Sequence, residues 1–132
     1  MIKRKILLLS IIVTLVSPIA VLAERPSFVG IYSSFHYSEK SGDLVGMEIQ
    51  IIPDPIGYSA IVQASEGAPA FPEVYRINIK GKSFKLDIPK SSSCGLVPGE
   101  YSGTFNEMTL ILKGQNSPSR KYALPKGKSF WQ

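Results

Sequence analysis

Apolar and polar residues alternate in short runs along residues 24–132. In the run SFKLDI at residues 83–88, apolar side chains at positions 84, 86 and 88 alternate with polar ones at 83, 85 and 87. Such alternation is typical of a strand with one face on a core and the other in water. This part of the chain has no stretch that repeats apolar residues at the three-and-four spacing of an amphipathic helix. The pattern predicts an all-β domain.

Runs of this kind are predicted to form eight strands. They are Phe28–Tyr37, Leu44–Ile52, Tyr58–Ser65, Val74–Ile79, Ser83–Ile88, Glu100–Phe105, Glu107–Lys113 and Arg120–Leu124. Most of the links are short and contain Gly, Pro, Asp or Ser, which favour tight turns. Short links make consecutive strands antiparallel neighbours. We therefore expect a single antiparallel meander of about eight strands, forming a small up-and-down β-barrel or a flattened barrel-like sandwich.

The first 23 residues differ from the rest and are predicted to be a signal peptide. Three cations at positions 3–5 precede an apolar run at residues 6–16, and Pro18 and the tripeptide VLA ending at Ala23 follow. Cleavage there would leave residues 24–132 as a single exported domain, periplasmic or extracellular and most simply bacterial. The alternative is an uncleaved anchor, because the apolar stretch reaches the short end of what spans a bilayer. The membrane would then be contacted only through this segment.

Cys94 is the only cysteine, so an intramolecular disulfide is impossible. The stability of the exported domain must therefore come from its apolar core. The simplest interpretation of Cys94 is a buried free thiol. Pairing with another chain and a role as a nucleophile are the alternatives.

Charge is unevenly distributed along the chain, whose formal net charge is +5. Residues 24–75 carry two cations and seven anions, whereas residues 76–132 carry ten cations and three anions. If the fold placed the two halves on different sides, the basic side could steer an anionic partner. We expect instead that a closed meander brings strands of both halves together and interleaves their surface charges.

Residues that could carry catalysis are sparse. His36 is the only histidine, and its pairing with Cys94 would be needed for a thiol enzyme, yet no thiol-protease signature surrounds Cys94. One His and one Cys cannot build a zinc site, and the acidic turn at residues 39–43 lacks further calcium ligands. No phosphate-binding loop or nucleophile elbow is present. We expect no enzyme, no cofactor and no metal.

Nucleic acid is also not expected as a partner. Basic residues lie among aromatic ones near the C-terminus, as in some single-strand binders. A domain whose net charge falls to +2 without its leader has little attraction for phosphate chains. The terminal Phe130-Trp131 is predicted instead to dock into the core or to plug one end of a barrel.

Candidate contact residues come from two long loops rich in Pro and Gly, residues 66–72 and 89–99, which could flank the mouth of a barrel. A protein partner or target enzyme would be held by exposed loop residues such as Phe71 or Leu96. A carrier of a small apolar or lipid-like ligand would use Tyr32 and Tyr58 near the mouth. Cys94 lies in the second loop. We expect a non-enzymatic protein-interaction or inhibitor-type module, with the carrier as the alternative and a thiol enzyme using Cys94 as a minor one.

Glu48 stands out as a carboxylate inside an otherwise apolar run. The alternation around it makes residues 45, 47, 49 and 51 the apolar face, which favours an outward Glu48. An inward Glu48 would line a cavity together with Gln50, and this alternative stays open.

In layout alone, the predicted domain resembles small exported bacterial β-barrels, including lipocalin-like and lysozyme-inhibitor-like proteins. No stretch of the chain matches the diagnostic motif of either family, and the resemblance therefore implies no functional residue.

Overall fold

The computed structural model describes residues 26–117 and 119–132, and the predicted signal peptide lies outside these residues. The described part is all-β. It contains no helix that is long and apolar enough to cross a membrane. The strands are β1 (Gly30–Ser33), β2 (His36–Tyr37), β3 (Leu44–Asp54), β4 (Gly57–Gly67), β5 (Glu73–Ile77), β6 (Ser83–Ile88), β7 (Gly99–Asn106), β8 (Thr109–Gly114) and β9 (Lys121–Gly127).

These strands form one antiparallel sheet that is nearly closed into a barrel. The order is β5-β4-β3-β1-β9-β8-β7-β6, and the short β2 continues β1 along β3. Strand β1 pairs with both β3 and β9, so the first and last strands join. The predicted antiparallel meander is confirmed, with β1 and β2 together forming the first of the eight predicted strands.

The gap in the barrel lies between β5 and β6, which share no ladder in the described chain. At one end of this seam, Lys80 and Ser83 bond to each other across the predicted Lys80-Gly81 turn, where Gly81 has φ of 62°. At the other end, the Glu73 carboxylate accepts bonds from the Ser92 hydroxyl (2.9 Å) and the Ser93 amide (2.8 Å). The Glu73 carboxylate therefore helps to close this end of the seam, where β5 and β6 share no ladder.

The interior of the barrel is filled with side chains from nearly all strands. Aromatic residues occupy much of it, and the buried hydroxyl of Tyr32 donates to the Phe28 carbonyl (2.8 Å) while that of Tyr101 donates to the Val97 carbonyl (2.7 Å). A Cβ on Gly103 would lie 2.2 Å from the Phe84 ring, so the packing of this ring requires glycine. Side chains therefore fill the interior of the barrel as a packed core.

A kink separates β1 from β2 and changes which face the chain presents. Gly46 on β3 has φ of 108°, and a Cβ there would lie 2.5 Å from the Ser34 carbonyl oxygen. The Ser34 hydroxyl accepts a bond from the Met47 amide (3.2 Å). After this kink, Phe35 is buried apart from the interior cluster, against Phe130 and Trp131.

The two halves of the sequence occupy different sides of the barrel. Strands β1–β5 are contiguous in the sheet, and so are β6–β9. The expectation of interleaved charge is therefore wrong, because a meander places sequential strands side by side and keeps each half together. Within the sheet of the described residues, the strands of the acidic half and those of the basic half are neighbours at the β1–β9 ladder and across the β5–β6 seam.

Candidate functional site

The C-terminal segment, residues 128–132, lies on the outside of the barrel. The Ser129 hydroxyl donates to Glu48 Oε1 (2.7 Å), and the Phe130 amide donates to Glu48 Oε2 (2.8 Å). Glu48 is half-buried on β3 between inward-facing Met47 and Ile49, so its predicted outward direction is confirmed. The prediction that Phe130-Trp131 enters the core or plugs a barrel end is wrong, because the outward Glu48 carboxylate binds this segment on the wall.

This segment builds an aromatic cluster with the kinked first strand. Ring centroids lie 5.7 Å apart for Phe35 and Trp131, 5.7 Å for Phe35 and Phe130, and 5.6 Å for Tyr37 and Phe130. Phe35 is buried beneath the others, whereas Tyr37 is 63% exposed and Trp131 is 51% exposed. We call Tyr37, Phe130 and Trp131 the aromatic surface.

Hydrogen bonds connect the aromatic surface to the loop at residues 66–72. The Trp131 indole donates to Gln63 Oε1 (3.0 Å), and Gln63 Nε2 donates to the Ala70 carbonyl (2.8 Å). Glu48 and Gln63 are opposite each other on β3 and β4, so both anchors of the C-terminal segment belong to one ladder position. Phe71, which follows Ala70, is 76% exposed and lies next to this network. The site thus combines exposed rings with side chains that fix them in place.

The predicted contact residues are distributed differently from what the sequence suggests. Tyr32 and Cys94 are fully buried, and Leu96 is only 7% exposed in the core. Tyr58 is half-buried and packs edge-on against Phe28, with centroids 4.9 Å apart. Of the five predicted contact residues, Phe71 alone is at the surface. The prediction that Leu96 is exposed is therefore wrong. Whether any of them contacts a partner stays a prediction.

Leu96 and Cys94 are buried because the loop at residues 89–98 folds onto the end of β4. The Ala64 amide donates to the Cys94 carbonyl (2.7 Å), and the Phe71 amide donates to the Ser93 carbonyl (3.1 Å). This backbone pairing carries the following side chains inward. The two long loops therefore cover one end of the barrel.

Beside this loop, Glu73, Tyr75 and Ser92 form a cluster of hydrogen bonds at the seam. The Tyr75 hydroxyl donates to Glu73 Oε2 (2.5 Å) and lies 2.6 Å from the Ser92 hydroxyl. The Tyr75 bond, with those from the Ser93 amide and the Ser92 hydroxyl, lowers the pKa of Glu73. Burial, and then the neighbouring Glu73 carboxylate, raises the pKa of Tyr75. Both pKa shifts favour a Glu73 carboxylate that accepts the hydrogen bond and a Tyr75 phenol that donates it, which suits a structural role at the seam.

The structure also bears on the two chemical sites considered from the sequence, a Cys94–His36 couple and a metal site. The Cys94 side chain is fully buried, as the simplest interpretation expects, whereas His36 is exposed on β2 with Nδ1 2.9 Å from the Ser34 carbonyl. The two side chains thus lie in different environments. The described residues contain no group of three or more His, Cys, Asp or Glu side chains placed to hold a metal ion.

Sequence reasoning missed the aromatic surface and both of its anchors as a site. Tyr37 and Trp131 are separated by most of the chain, and the bonds of Glu48 and Gln63 to the C-terminal segment bring them together. The sequence offers two signals for this site: the aromatic pair Phe130-Trp131 near the C-terminus and the isolated carboxylate of Glu48 in an apolar run.

Comparisons with protein-family models, with curated proteins and with solved structures found no match to the chain.

Proposed function

We propose that the protein is an exported, non-enzymatic binding module that holds a protein partner against the aromatic surface on the outside of its barrel. The observation that supports this most strongly is the exposure of Tyr37 and Trp131 on one wall, beside exposed Phe71. Tyr, Trp and Phe are enriched in protein interfaces, and Trp and Tyr carry much of the binding energy. Export rests on the leader at residues 1–23, whose charge and apolar pattern favour secretion.

The rigidity of the aromatic surface favours binding over incidental exposure. Trp131 is held by Gln63 through its indole nitrogen, and the backbone of Phe130 is held by Glu48. Phe35 supports both rings from below. Side chains fixed before binding lose little conformational entropy in the complex, which strengthens association.

The alternative function, a carrier of a small apolar ligand, has less support. A carrier needs interior volume, but the barrel of the described residues contains a continuous buried cluster that includes Tyr32, Tyr101, Phe84 and Phe105. A ligand would have to displace these side chains. Binding on the outside needs no such rearrangement.

Site-specific photo-crosslinking in the host tests the proposal. A photoreactive phenylalanine analogue is placed at position 37 or 71, and at the exposed position 123 on β9 as a matched control. We expect a discrete protein adduct from positions 37 and 71 and none from position 123. Loss of this adduct on Trp131→Ser would show that the aromatic surface is needed. Equal adducts at all three positions, or none at 37 and 71, would contradict the proposal.

A further inference from the structure

A row of lysines crosses the outside of the basic half. Lys85 on β6 is directly opposite Ser102 on β7, which is opposite Lys113 on β8, which is opposite Lys121 on β9. Directly opposite residues of a ladder share one face, so these four side chains form one line across four strands. Adjacent strands are about 4.8 Å apart, so successive cations along the row are separated by about 10 Å and about 5 Å.

The row lies in a groove that further lysines extend. Two surface depressions adjoin at Ser102 and Thr104, which line both of them. Lys80 and Lys82, from the turn before β6, line one depression each. We call the combined depression the lysine groove. Among the described residues that line it there are five lysines and no carboxylate.

Charge within the groove is poorly compensated by the protein itself. Lys113 and Lys121 are directly opposite each other, an arrangement of like charges that destabilises a sheet. Within the described chain, the ion pairs are Lys85 with Glu100 and Arg76 with Asp54, so neither Lys113 nor Lys121 has an acidic partner. Asp87 and Glu100 lie one row further along β6 and β7, and Glu100 also accepts a bond from Gln115. An external anion would therefore relieve the repulsion between Lys113 and Lys121.

We propose that the lysine groove binds an anionic glycan, a polysaccharide whose repeating units carry phosphate, sulfate or carboxylate groups. A row of cations that crosses four strands suits a chain with repeated charges better than a single small anion. Between the lysines, Ser83, Ser102, Thr104 and Asn106 supply hydroxyl and amide groups that match the hydroxyls of sugars. The groove lies on β6–β9 and the aromatic surface on β1–β4, so this site is separate from the one in the proposed function.

Other polyanions fit the groove less well. Single-stranded nucleic acid is held by exposed aromatic rings that stack on bases, but the rings lining the groove, Phe84 and Phe105, are buried. Proteins that bind anionic membranes add apolar side chains that enter the lipid. Met108 is exposed at the neighbouring β7–β8 turn but does not line the groove, and the lining Ile111 is half-buried.

The test compares binding of two variants that lose the same charge. Lys113→Thr/Lys121→Thr removes the opposed pair, whereas Lys90→Thr/Lys128→Thr removes two cations of the same half that do not line the groove. The probes are dextran sulfate and polygalacturonate, with neutral dextran as the reference. A single-stranded DNA oligomer and phosphatidylglycerol vesicles test the other polyanions. Circular dichroism and urea unfolding of each variant confirm that it remains folded.

We expect the wild-type protein to bind both anionic glycans and not neutral dextran, with an affinity that falls as salt is added. Affinity should fall at least tenfold in Lys113→Thr/Lys121→Thr and less than threefold in Lys90→Thr/Lys128→Thr. Equal losses in the two folded variants would show attraction by overall charge and would overturn the proposal. Tighter binding to the oligomer or to vesicles than to either glycan would overturn the choice of ligand, as would an absence of glycan binding at low salt.

Discussion

Glu48→Ala is predicted to release the C-terminal segment from the wall of the barrel. The carboxylate accepts two bonds from this segment, one from the Ser129 hydroxyl and one from the Phe130 amide. A hydrogen bond to a charged group contributes roughly 1.5–3 kcal/mol. Because Glu48 is half-buried, solvent weakens both bonds, and we expect a total loss of about 2 kcal/mol in the free energy of unfolding.

The structure also sets an upper limit on the loss of unfolding free energy in Glu48→Ala. The strand ladders and the interior cluster include no residue of the C-terminal segment. The mutation can therefore remove no more than the free energy with which residues 128–132 dock. A larger loss would mean that Glu48 supports the barrel itself.

Trp131 makes the release directly measurable, because it is the only tryptophan. In the wild-type protein its indole bonds to Gln63 and its ring packs on Phe35 and Phe130. We expect Glu48→Ala to shift its emission to longer wavelength and to increase acrylamide quenching in the absence of denaturant. Urea unfolding followed by circular dichroism then gives the change in free energy.

A truncated chain that ends at Gly127 provides the control. If Glu48 acts through the C-terminal segment, Glu48→Ala has no further effect in the truncated chain, which a double-mutant cycle measures. Glu48→Gln keeps an acceptor without charge and should lose less than Glu48→Ala. An unchanged emission and free energy in Glu48→Ala would refute the reasoning, as would an equal loss in the truncated chain.

Three other predictions concern the barrel. The pKa of Glu73 is lower in the folded protein, so its contribution to stability is present above the unfolded pKa and is lost as pH falls through the folded pKa. The midpoint of urea unfolding should therefore fall more between pH 7 and pH 3 in the wild-type protein than in Glu73→Gln. Parallel curves of midpoint against pH for the two proteins would contradict this prediction. Gly103→Ala should cost about 1–3 kcal/mol through overpacking against Phe84, whereas Gly127→Ala, with nothing within 4 Å of its Cβ, should be close to neutral in the same urea assay. The buried Cys94 thiol should react with a small disulfide reagent only at the rate of opening or unfolding, and rapid labelling of the native protein would show that the loop is open.

The strands were predictable because their signals are local. The run at residues 83–88 becomes β6 with the same bounds, and its residues 84, 86 and 88 are buried as the alternation requires. The Lys80-Gly81 turn depends only on a glycine that accepts positive φ. The alternation predicts the first strand without its break, because the kink results from contact between Ser34 and Gly46 on a different strand.

The site was not predictable because its contacts are distant in sequence. Glu48 and the C-terminal segment are more than 80 residues apart, and no local pattern pairs them. The outward direction of Glu48 could be derived from alternation, but not the chain segment that it binds. In the same way, the sequence suggested a surface loop around Leu96, and only the bonds of that loop to Ala64 and Phe71 turn it inward.

The prediction of interleaved surface charge is wrong for a different reason, because it misjudges the topology of the sheet and not a contact between distant residues. The sequence already displayed an acidic half and a basic half. In a meander, neighbours in the sheet are neighbours in the chain, and this rule alone separates the two halves. The lysine groove is a consequence of that separation.

Native mass spectrometry of the protein, recovered gently from its own host, tests the central claim most directly. If the protein binds a partner on the outside of a filled barrel, the wild-type chain retains a protein component that Tyr37→Ser/Trp131→Ser loses, and carries no small molecule. A persistent added mass of a few hundred daltons, unchanged by these substitutions and by Lys113→Thr/Lys121→Thr in the lysine groove, would contradict the account and indicate a carrier with an interior ligand.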